Sequence, residues 1–163
     1  MTTSNGEGCG HFVPGTGIML NNMLGEMALL PNGLHNWEEN IRLGSMMSPT
    51  IVLDDTGKAE LVLGSGGAGR IPFMLAQAIS KVVDQGLDIH TAVNHSRMHV
   101  IDQICNLEPG LSVSEAKAGT FNQMVHWEEQ SMYFGGVHAV LRRSDSTFAE
   151  GDERRGGVTA SVL

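Results

Sequence analysis

The order of apolar and polar positions along the chain predicts a hairpin followed by one long helix. An apolar run at residues 59–63 is typical of a buried strand. A shorter apolar run at residues 51–53 precedes it, and the polar, glycine-containing segment between the two predicts a β-hairpin. Residues 71–83 are apolar around most of a helical circumference, which predicts a largely buried helix. Gly86 is suited to end this helix, as glycine does at many helix C termini.

The second half of the chain carries weaker patterns. A short helix is predicted near residues 90–94 and a strand around residues 98–101. Residues 133–141 suggest two strands joined by a glycine turn, and weaker strand candidates lie at residues 147–148 and 158–163. The strands precede and follow the helices instead of alternating with them. This order favours an α+β fold over a doubly wound sheet.

Length and composition narrow the functional class. A chain of 163 residues with 41% hydrophobic residues is most simply one domain, residues 1–163. A net charge of −8 and scattered basic residues argue against a nucleic-acid partner. The sequence contains no apolar run of membrane-spanning length, and Met1 is followed by polar residues, so we expect no membrane partner and a cytoplasmic location. Cys9 and Cys105 lack metal or redox spacing and predict unrelated thiols, although a disulfide between them stays open.

Neither the histidines nor the charged residues near the C terminus predict a metal site or a catalytic site. His95 and His99 are four residues apart but straddle the predicted helix-to-strand boundary, and no third ligand accompanies them. We therefore expect neither a metal nor a cofactor. The acidic residues Glu150, Asp152 and Glu153 lie beside Arg154 and Arg155, which predicts an exposed ion-pair cluster of little energetic weight.

The glycine-rich segment GSGGAG, residues 64–69, joins the predicted strand to the predicted helix. Backbone N–H groups at the start of a helix form a positive cradle that stabilises an anion. Its glycines match the dinucleotide fingerprint G-x-G-x-x-G. However, an antiparallel hairpin precedes the motif, and the second parallel strand ending in an acid is missing. The glycines could also serve only to let helix and strand pack closely.

A third interpretation of this segment is an oxyanion hole. Acyl transfer needs two donors aimed at the position where negative charge develops, and the adjacent amides of Gly67 and Ala68 could supply them. Such a site also needs a nucleophile. Ser65 lies within the segment, but no G-x-S-x-G elbow surrounds it.

Seven segments together resemble the γ-glutamyltransferase (γ-glutamyltranspeptidase) family. They are TSNGEG at residues 3–8, PGTGIMLNN at 14–22, SMMSPTIV at 45–52, GSGG at 64–67, RMHV at 97–100, FGGVHAV at 134–140 and RRGG at 154–157. The match keeps the family's order, covers essentially the whole chain, and is to the small C-terminal subunit. It implies part of the four-layer αββα sandwich of N-terminal-nucleophile hydrolases, an α+β fold.

The resemblance also implies a reaction. Members of the family are precursors that cut themselves and expose a threonine, whose hydroxyl is the nucleophile and whose free amine is the base. The intact enzyme moves an acyl group from a γ-glutamyl amide to water or to an amine, as in glutathione metabolism. Thr3 is similar to the second threonine, which hydrogen-bonds the nucleophile. Gly67 and Ala68 fall where two backbone amides form the oxyanion hole.

The resemblance assigns further residues to substrate binding. Asn5 and Glu26 resemble positions that hold the α-amino end of the substrate, and Ser45 resembles one of two serines that bind its α-carboxylate. Met46 stands where many relatives have the second serine, Met23 where many have glutamine, and Glu26 replaces the commoner aspartate. These differences leave open which γ-glutamyl compound is the substrate: glutathione, or a related compound or other amide.

The resemblance finally implies a partner and a missing group. The family's nucleophile lies about one hairpin upstream of Thr3 and is absent from this sequence, and the arginine that pairs with the substrate carboxylate belongs to the large N-terminal subunit. We therefore expect the isolated chain to be inactive. We also expect it to be poorly stable, because its central strands would have unpaired edges and apolar faces meant for the large subunit. Removal of Met1 would make Thr2 an N-terminal threonine, but the resemblance aligns Thr2 beside the supporting threonine. A non-catalytic binding or scaffold protein and, less favoured, a nucleotide-binding domain are the alternatives.

Overall fold

The computed structural model describes residues 8–114 and 119–160. Contacts within the chain divide it into two compact units, Met1–Met47 and Ser48–Leu163. The expectation of a single domain stays a prediction. Among the described residues, no helix is both long enough and apolar enough to cross a bilayer.

The first unit is described from residue 8 and is built from short turns. An antiparallel bridge pairs Phe12 with Met19. Two single-turn 3-10 helices follow at Met23–Gly25 and Met27–Leu29. The segment around Trp37 is an exposed loop, and the indole lines an apolar pocket within this unit together with leucine and isoleucine side chains.

The second unit contains the regular secondary structure. In chain order its strands and helices are β1 (Thr50–Leu53), β2 (Ala59–Ser65), α1 (Ile71–Val83), α2 (Ile89–Asn94), β3 (Met98–Ile101), β4 (Ile104–Leu107), β5 (Gln123–His126), β6 (Val137–Arg143) and β7 (Ser146–Glu150). The described residues therefore mix helix and sheet, as an α+β fold requires.

Strands β1, β2, β6 and β7 form an antiparallel sheet in that order. The predicted hairpin of β1 and β2 is confirmed. Burial alternates along β2 and β6, since Leu61, Leu63 and Leu141 are buried whereas Val62 and Val140 are exposed. Helix α1 packs against β2 and β6, and α2 packs against β6 and β7. The buried face of the sheet and the two helices form the core of this unit.

Helix α1 has the predicted bounds but is buried along one side only. Its buried residues are Ile71, Met74, Leu75, Ala78 and Val82. Phe73 is 56% exposed and Val83 is 52% exposed, so the predicted largely buried helix leaves one apolar side open. Gly86 has a φ of +67° just beyond the helix, in the left-handed conformation that glycine adopts at helix ends.

Strands β3, β4 and β5 form a second sheet in which β3–β4 is antiparallel and β4–β5 is parallel. The predicted strand at residues 98–101 is confirmed, whereas β4 and β5 were not predicted. The Gln77 side chain on α1 donates to the carbonyl of Met98 and accepts from its amide, at 2.8 and 3.0 Å. These two bonds tie the second sheet to the helix beside the first.

Two predictions near the C terminus need correction. Residues 133–141 do not form a strand pair, because Met132–Phe134 is a 3-10 turn and only β6 follows it. The partner of β6 in this region is β7, which contains the predicted strand at residues 147–148. Residues 158–160 are not in a strand, and residues 161–163 lie outside the described residues.

Candidate functional site

The turn between β2 and α1 has an unusual backbone conformation. Gly67 has a φ of +124° and Ala68 a φ of +54°. A Cβ atom added at Gly67 would come within 3.2 Å of the Gly135 Cα, so this position needs glycine both for its φ and for the close approach. Ala68 holds a left-handed conformation that costs a non-glycine residue about 1 kcal/mol or more. Of the two residues singled out from the sequence, Gly67 thus supplies the close approach and Ala68 holds the strained conformation.

The amides of these two residues are the chemically distinctive feature of the turn. Among the residues that the structure describes, neither the Gly67 nor the Ala68 N–H has a hydrogen-bond acceptor. They lie at the start of the 3-10 turn Ala68–Arg70, where the first N–H groups lack intrahelical partners. Ala68 is exposed and Gly67 is half-buried. Two neighbouring donors are therefore free to bind an incoming anion.

A second glycine turn, Gly135–Gly136, packs directly against the first. A Cβ at Gly135 would come 2.8 Å from the Ser65 Oγ and 3.1 Å from the Gly66 carbonyl oxygen. The Ser65 hydroxyl joins the turns, since it donates to the Gly66 carbonyl at 2.8 Å and accepts from the Gly136 amide at 3.2 Å. Ser65 is 9% exposed, and its hydroxyl is already bonded on both sides. A hydroxyl held in this way is not free to act as a nucleophile.

Arg155 lies across both glycine turns. Its aliphatic stem is in contact with Gly136, and its guanidinium carbon would be 3.2 Å from a Cβ at Gly66. Its Nε donates to the carbonyl of Gly135 at 3.1 Å. A Cβ at Gly66 or Gly136 would displace the arginine side chain, which explains why both positions are glycine.

The charged residues near the C terminus form a buried network, so the prediction of an exposed cluster is wrong for Asp152 and Arg154. Asp152 lies 2.7 Å from the Arg97 guanidinium and 3.2 Å from that of Arg154. Arg154 also makes two bonds to Glu108, at 2.7 and 2.5 Å. All four side chains are at least nine-tenths buried. Each charge in the network therefore has an opposite charge as its partner.

This network also holds both ends of the second glycine turn. Arg97 donates from Nη1 to the Phe134 carbonyl at 2.9 Å, and Asp152 accepts from the Val137 amide at 2.7 Å. Burial alone would raise the pKa of Asp152, but the charges of Arg97 and Arg154 and the backbone hydrogen bonds outweigh it and hold that pKa below its usual value. The carboxylate is thus ionised at neutral pH and fixes the residues on either side of Gly135–Gly136.

His99 on β3 is a buried histidine among aromatic rings. Its ring centroid is 5.3 Å from that of Phe73 and 6.1 Å from that of Tyr133, and the Arg70 guanidinium lies 4.5 Å from the Tyr133 centroid. The His99 Nδ1 has no hydrogen-bond partner within the described ranges. Burial, with a smaller effect of the Arg70 charge, lowers the pKa of His99. In residues 8–114 and 119–160, no three His, Cys, Asp or Glu side chains are grouped to hold a metal ion.

The remaining predicted site residues belong to the first unit. Glu26 is half-buried between the two 3-10 turns, and its amide donates to the Met23 carbonyl at 3.2 Å. Ser45 is exposed, and its hydroxyl accepts from the Met47 amide at 3.2 Å. Met46 is half-buried. Thr3 and Asn5 lie outside the described residues. Gly67 and Ala68 lie in the second unit, whereas the other predicted site residues that the structure describes lie in the first.

The topology decides against a dinucleotide site. Both neighbours of β2, the strand before the glycine motif, pair with it antiparallel. A dinucleotide fingerprint needs a parallel strand beside it, reached through a βαβ crossover. The match to G-x-G-x-x-G is thus a chance result of glycines required by the turn.

The sequence did not predict the second glycine turn, the position of Arg155 over that turn, or the buried ionic network bonded to it. The segments RMHV, FGGVHAV and RRGG were recognised only as carriers of the family resemblance. The pair Gly135–Gly136 was the available signal, because two adjacent glycines often mark a close approach of two backbones.

Comparison with known proteins agrees with this geometry. Residues 1–162 match the family model described as Gamma-glutamyltranspeptidase. The glutathione hydrolase proenzyme of Bacillus subtilis (strain 168) is 34% identical over 92 residues, covering 56% of this chain and 16% of the relative. Glutathione hydrolase proenzyme 2 of Schizosaccharomyces pombe is 27% identical over 163 residues, covering 91% of this chain and 26% of the relative.

A solved structure extends the likeness to three dimensions. Gamma-glutamyltranspeptidase from Pseudomonas nitroreducens, complexed with L-DON, matches with a TM-score of 0.76 and 25% identity, over 100% of this chain and 92% of that chain. The predicted α+β fold of N-terminal-nucleophile hydrolases is thereby confirmed. The chain nevertheless spans only 16% and 26% of the length of the two curated relatives.

Proposed function

This chain belongs to the γ-glutamyltranspeptidase family, and we propose that it forms part of an enzyme that transfers a γ-glutamyl group from an amide to water or to an amine. It corresponds in this proposal to the small C-terminal subunit. The observation that carries the proposal is the pair of amides at Gly67 and Ala68, which have no acceptor among the described residues and lie in a turn where Ala68 is strained. Strain kept at one short segment is typical of functional sites.

In the proposed reaction these two amides bind the oxygen of the substrate's γ-carbonyl. A threonine hydroxyl attacks the carbonyl carbon and loses its proton to the threonine's own amine, so that a C–O bond forms and the oxygen becomes negatively charged. Donors fixed in advance stabilise this charge without rearrangement. The C–N bond then breaks, the leaving amine takes the proton, and water or a second amine releases the acyl group.

The other predicted residues are proposed to hold the glutamyl end of the substrate. The Glu26 carboxylate, with Asn5, is suited to an ammonium group, and the Ser45 hydroxyl can donate to a carboxylate. Thr3 would support the nucleophile. Met46 can contribute no hydroxyl where many relatives have serine. We therefore expect weaker binding of the substrate's α-carboxylate than a pair of serines would give.

The proposed partner is the large N-terminal subunit of the same precursor or an equivalent chain. The curated relatives are described as proenzymes, which supports this arrangement. In the family the large subunit provides the arginine that pairs with the substrate carboxylate. We therefore propose that the activity belongs to the intact protein and not to this chain alone.

Trapping of the acyl-enzyme tests the proposal. The intact protein is mixed with L-γ-glutamyl-p-nitroanilide, quenched in acid, and examined by mass spectrometry after proteolysis. We expect one peptide to gain the mass of a glutamyl group and to lose it when glycylglycine is added before the quench. A binding or scaffold protein would release no p-nitroaniline and gain no mass. That result would overturn the proposed function.

A further inference from the structure

We propose that Ser65 is a positioning residue that aims the Gly67 N–H into the oxyanion hole, a role that rests on the proposed function. Its hydroxyl does not reach the Gly67 amide directly. It donates instead to the Gly66 carbonyl at 2.8 Å, on the other side of the same peptide group. Fixing that carbonyl fixes the direction of the N–H.

The geometry of the peptide bond makes this link rigid. The peptide between Gly66 and Gly67 is trans, so its C=O and its N–H point in opposite directions. Glycine on both sides leaves the peptide plane with little steric restraint, because no Cβ limits its rotation. A bond to the Gly66 carbonyl therefore supplies an orientation that the backbone itself does not impose.

Ser65 is well placed to supply this restraint. It ends β2 opposite Val137 on β6, and it is 9% exposed. The Gly136 amide donates to its hydroxyl at 3.2 Å, so the hydroxyl's own proton is directed to the Gly66 carbonyl. A chain of hydrogen bonds of this kind polarises each member, and it makes the Gly67 N–H a better donor.

Arg155 limits the same peptide from another direction. Its guanidinium lies over Gly66, with the Cζ, Nε and Nη1 atoms 3.2 to 3.4 Å from the position of a Cβ there. It is anchored by its bond to the Gly135 carbonyl. Arg155 thus packs against the Gly66–Gly67 peptide, and the Ser65 hydroxyl fixes its orientation. Loss of the hydroxyl removes the hydrogen bond that selects this orientation.

Substitution of Ser65 tests the role in the intact protein. Removing an oxyanion donor typically costs a factor of about 100 to 1,000 in kcat, and we expect the misdirected donor of Ser65→Ala to lower kcat by about 10- to 100-fold with KM within about twofold. Ser65→Thr keeps the hydroxyl and should retain most of the wild-type kcat.

Ser96→Ala is the matched control. Ser96 is also a part-buried serine whose hydroxyl donates to a backbone carbonyl, that of Pro109, at 2.5 Å. Within the described residues its hydroxyl has no hydrogen bond to either glycine turn, so its loss should cost similar stability and leave kcat unchanged. If Ser65 has only a structural role, Ser65→Ala and Ser96→Ala should have the same kcat. Equal kcat values would overturn the proposal.

Crystal structures separate this proposal from the proposed function. In Ser65→Ala we expect the Gly66–Gly67 peptide to rotate, whereas in Ser96→Ala it should keep its orientation. An unchanged peptide in Ser65→Ala, or an unchanged kcat, would overturn the role of Ser65. If the wild-type protein turns over no γ-glutamyl donor, the proposed function fails. The orientation of the Gly66–Gly67 peptide in the Ser65→Ala structure then tests the role of Ser65 by itself. Should Ser65→Ala not fold, Ser65→Cys, with a weakly donating thiol, takes its place.

Discussion

The Arg97 guanidinium lies 2.7 Å from the Asp152 carboxylate, and both side chains are fully buried. The same two residues bind the backbone on either side of the second glycine turn, through the Phe134 carbonyl and the Val137 amide. That turn packs against Gly66 and Gly67. An ion pair deep in the unit is thereby connected by short contacts to the candidate oxyanion hole at its surface.

Asp152→Asn should strongly destabilise the protein. The substitution keeps the shape of the side chain but leaves two buried arginines without one of their opposite charges, which typically costs about 3–5 kcal/mol. Urea unfolding followed by circular dichroism measures the change. Glu60→Gln is the control, because Glu60 pairs at 3.7 Å with the part-exposed Arg143, and such pairs contribute about 0–1 kcal/mol. Equal losses in the two variants would contradict the buried network.

Acid should weaken the protein through the same carboxylate. The pKa of Asp152 is lowered in the folded state, so its ionised form contributes stability above the unfolded pKa of about 3.9, and this contribution is lost as the pH falls below that value. The free energy of unfolding of the wild-type protein should fall more steeply than that of Asp152→Asn between about pH 5 and pH 3. Parallel curves would show that Asp152 is not held ionised by the network.

His99 should make stability depend on pH in a higher range. Its folded pKa lies below the unfolded value of about 6.5, so the unfolded chain binds the extra proton first and stability falls as the pH drops below about 6.5. His99→Phe removes the titrating ring and should reduce the loss of Tm between about pH 7.5 and 5.5. An unchanged loss of Tm in His99→Phe would contradict a lowered pKa of this histidine in the folded state.

Gly67 and Ala68 should respond in opposite ways to substitution. Gly67→Ala places a Cβ 3.2 Å from the Gly135 Cα at a φ of +124°, so the turn must distort, and kcat should fall by about 100-fold, as for loss of an oxyanion donor. Ala68→Gly keeps the amide and relieves a φ of +54°, so kcat should stay within about twofold. The measurement is kcat for a γ-glutamyl donor, with circular dichroism as a check of folding. A large loss in Ala68→Gly would contradict a role limited to the backbone donor.

The local pattern of apolar and polar residues was sufficient to predict the strands and the helix on either side of the Gly67–Ala68 turn. The hairpin β1–β2 and helix α1 have strong apolar runs bounded by glycine and polar turns, and their predicted positions are confirmed. Strand β4 escaped prediction because its apolar pattern is interrupted by Asn106, a buried polar residue whose side chain accepts from the Trp127 indole at 3.1 Å. That partner is distant in sequence and gives β4 no local signal.

The buried network was beyond local reasoning for the same reason. Asp152 and Arg154 sit in a run of charged residues that is typical of an exposed surface, and nothing nearby in sequence suggests burial. Their burial depends on Arg97 and on Glu108, the latter 46 residues from Arg154. The roles proposed for Gly67 and Ala68, by contrast, were suggested both by the glycine-rich helix start and by the family resemblance.

We propose that the intact protein acts on γ-glutamyl amides through the Gly67–Ala68 turn. The most direct test is the rate of p-nitroaniline release by the intact protein from L-γ-glutamyl-p-nitroanilide, beside the rate from the α-linked isomer. We predict steady turnover of the γ-linked donor, stimulation by glycylglycine, and little release from the α-linked donor. Equal rates for the two isomers, or no release from either, would contradict the claim.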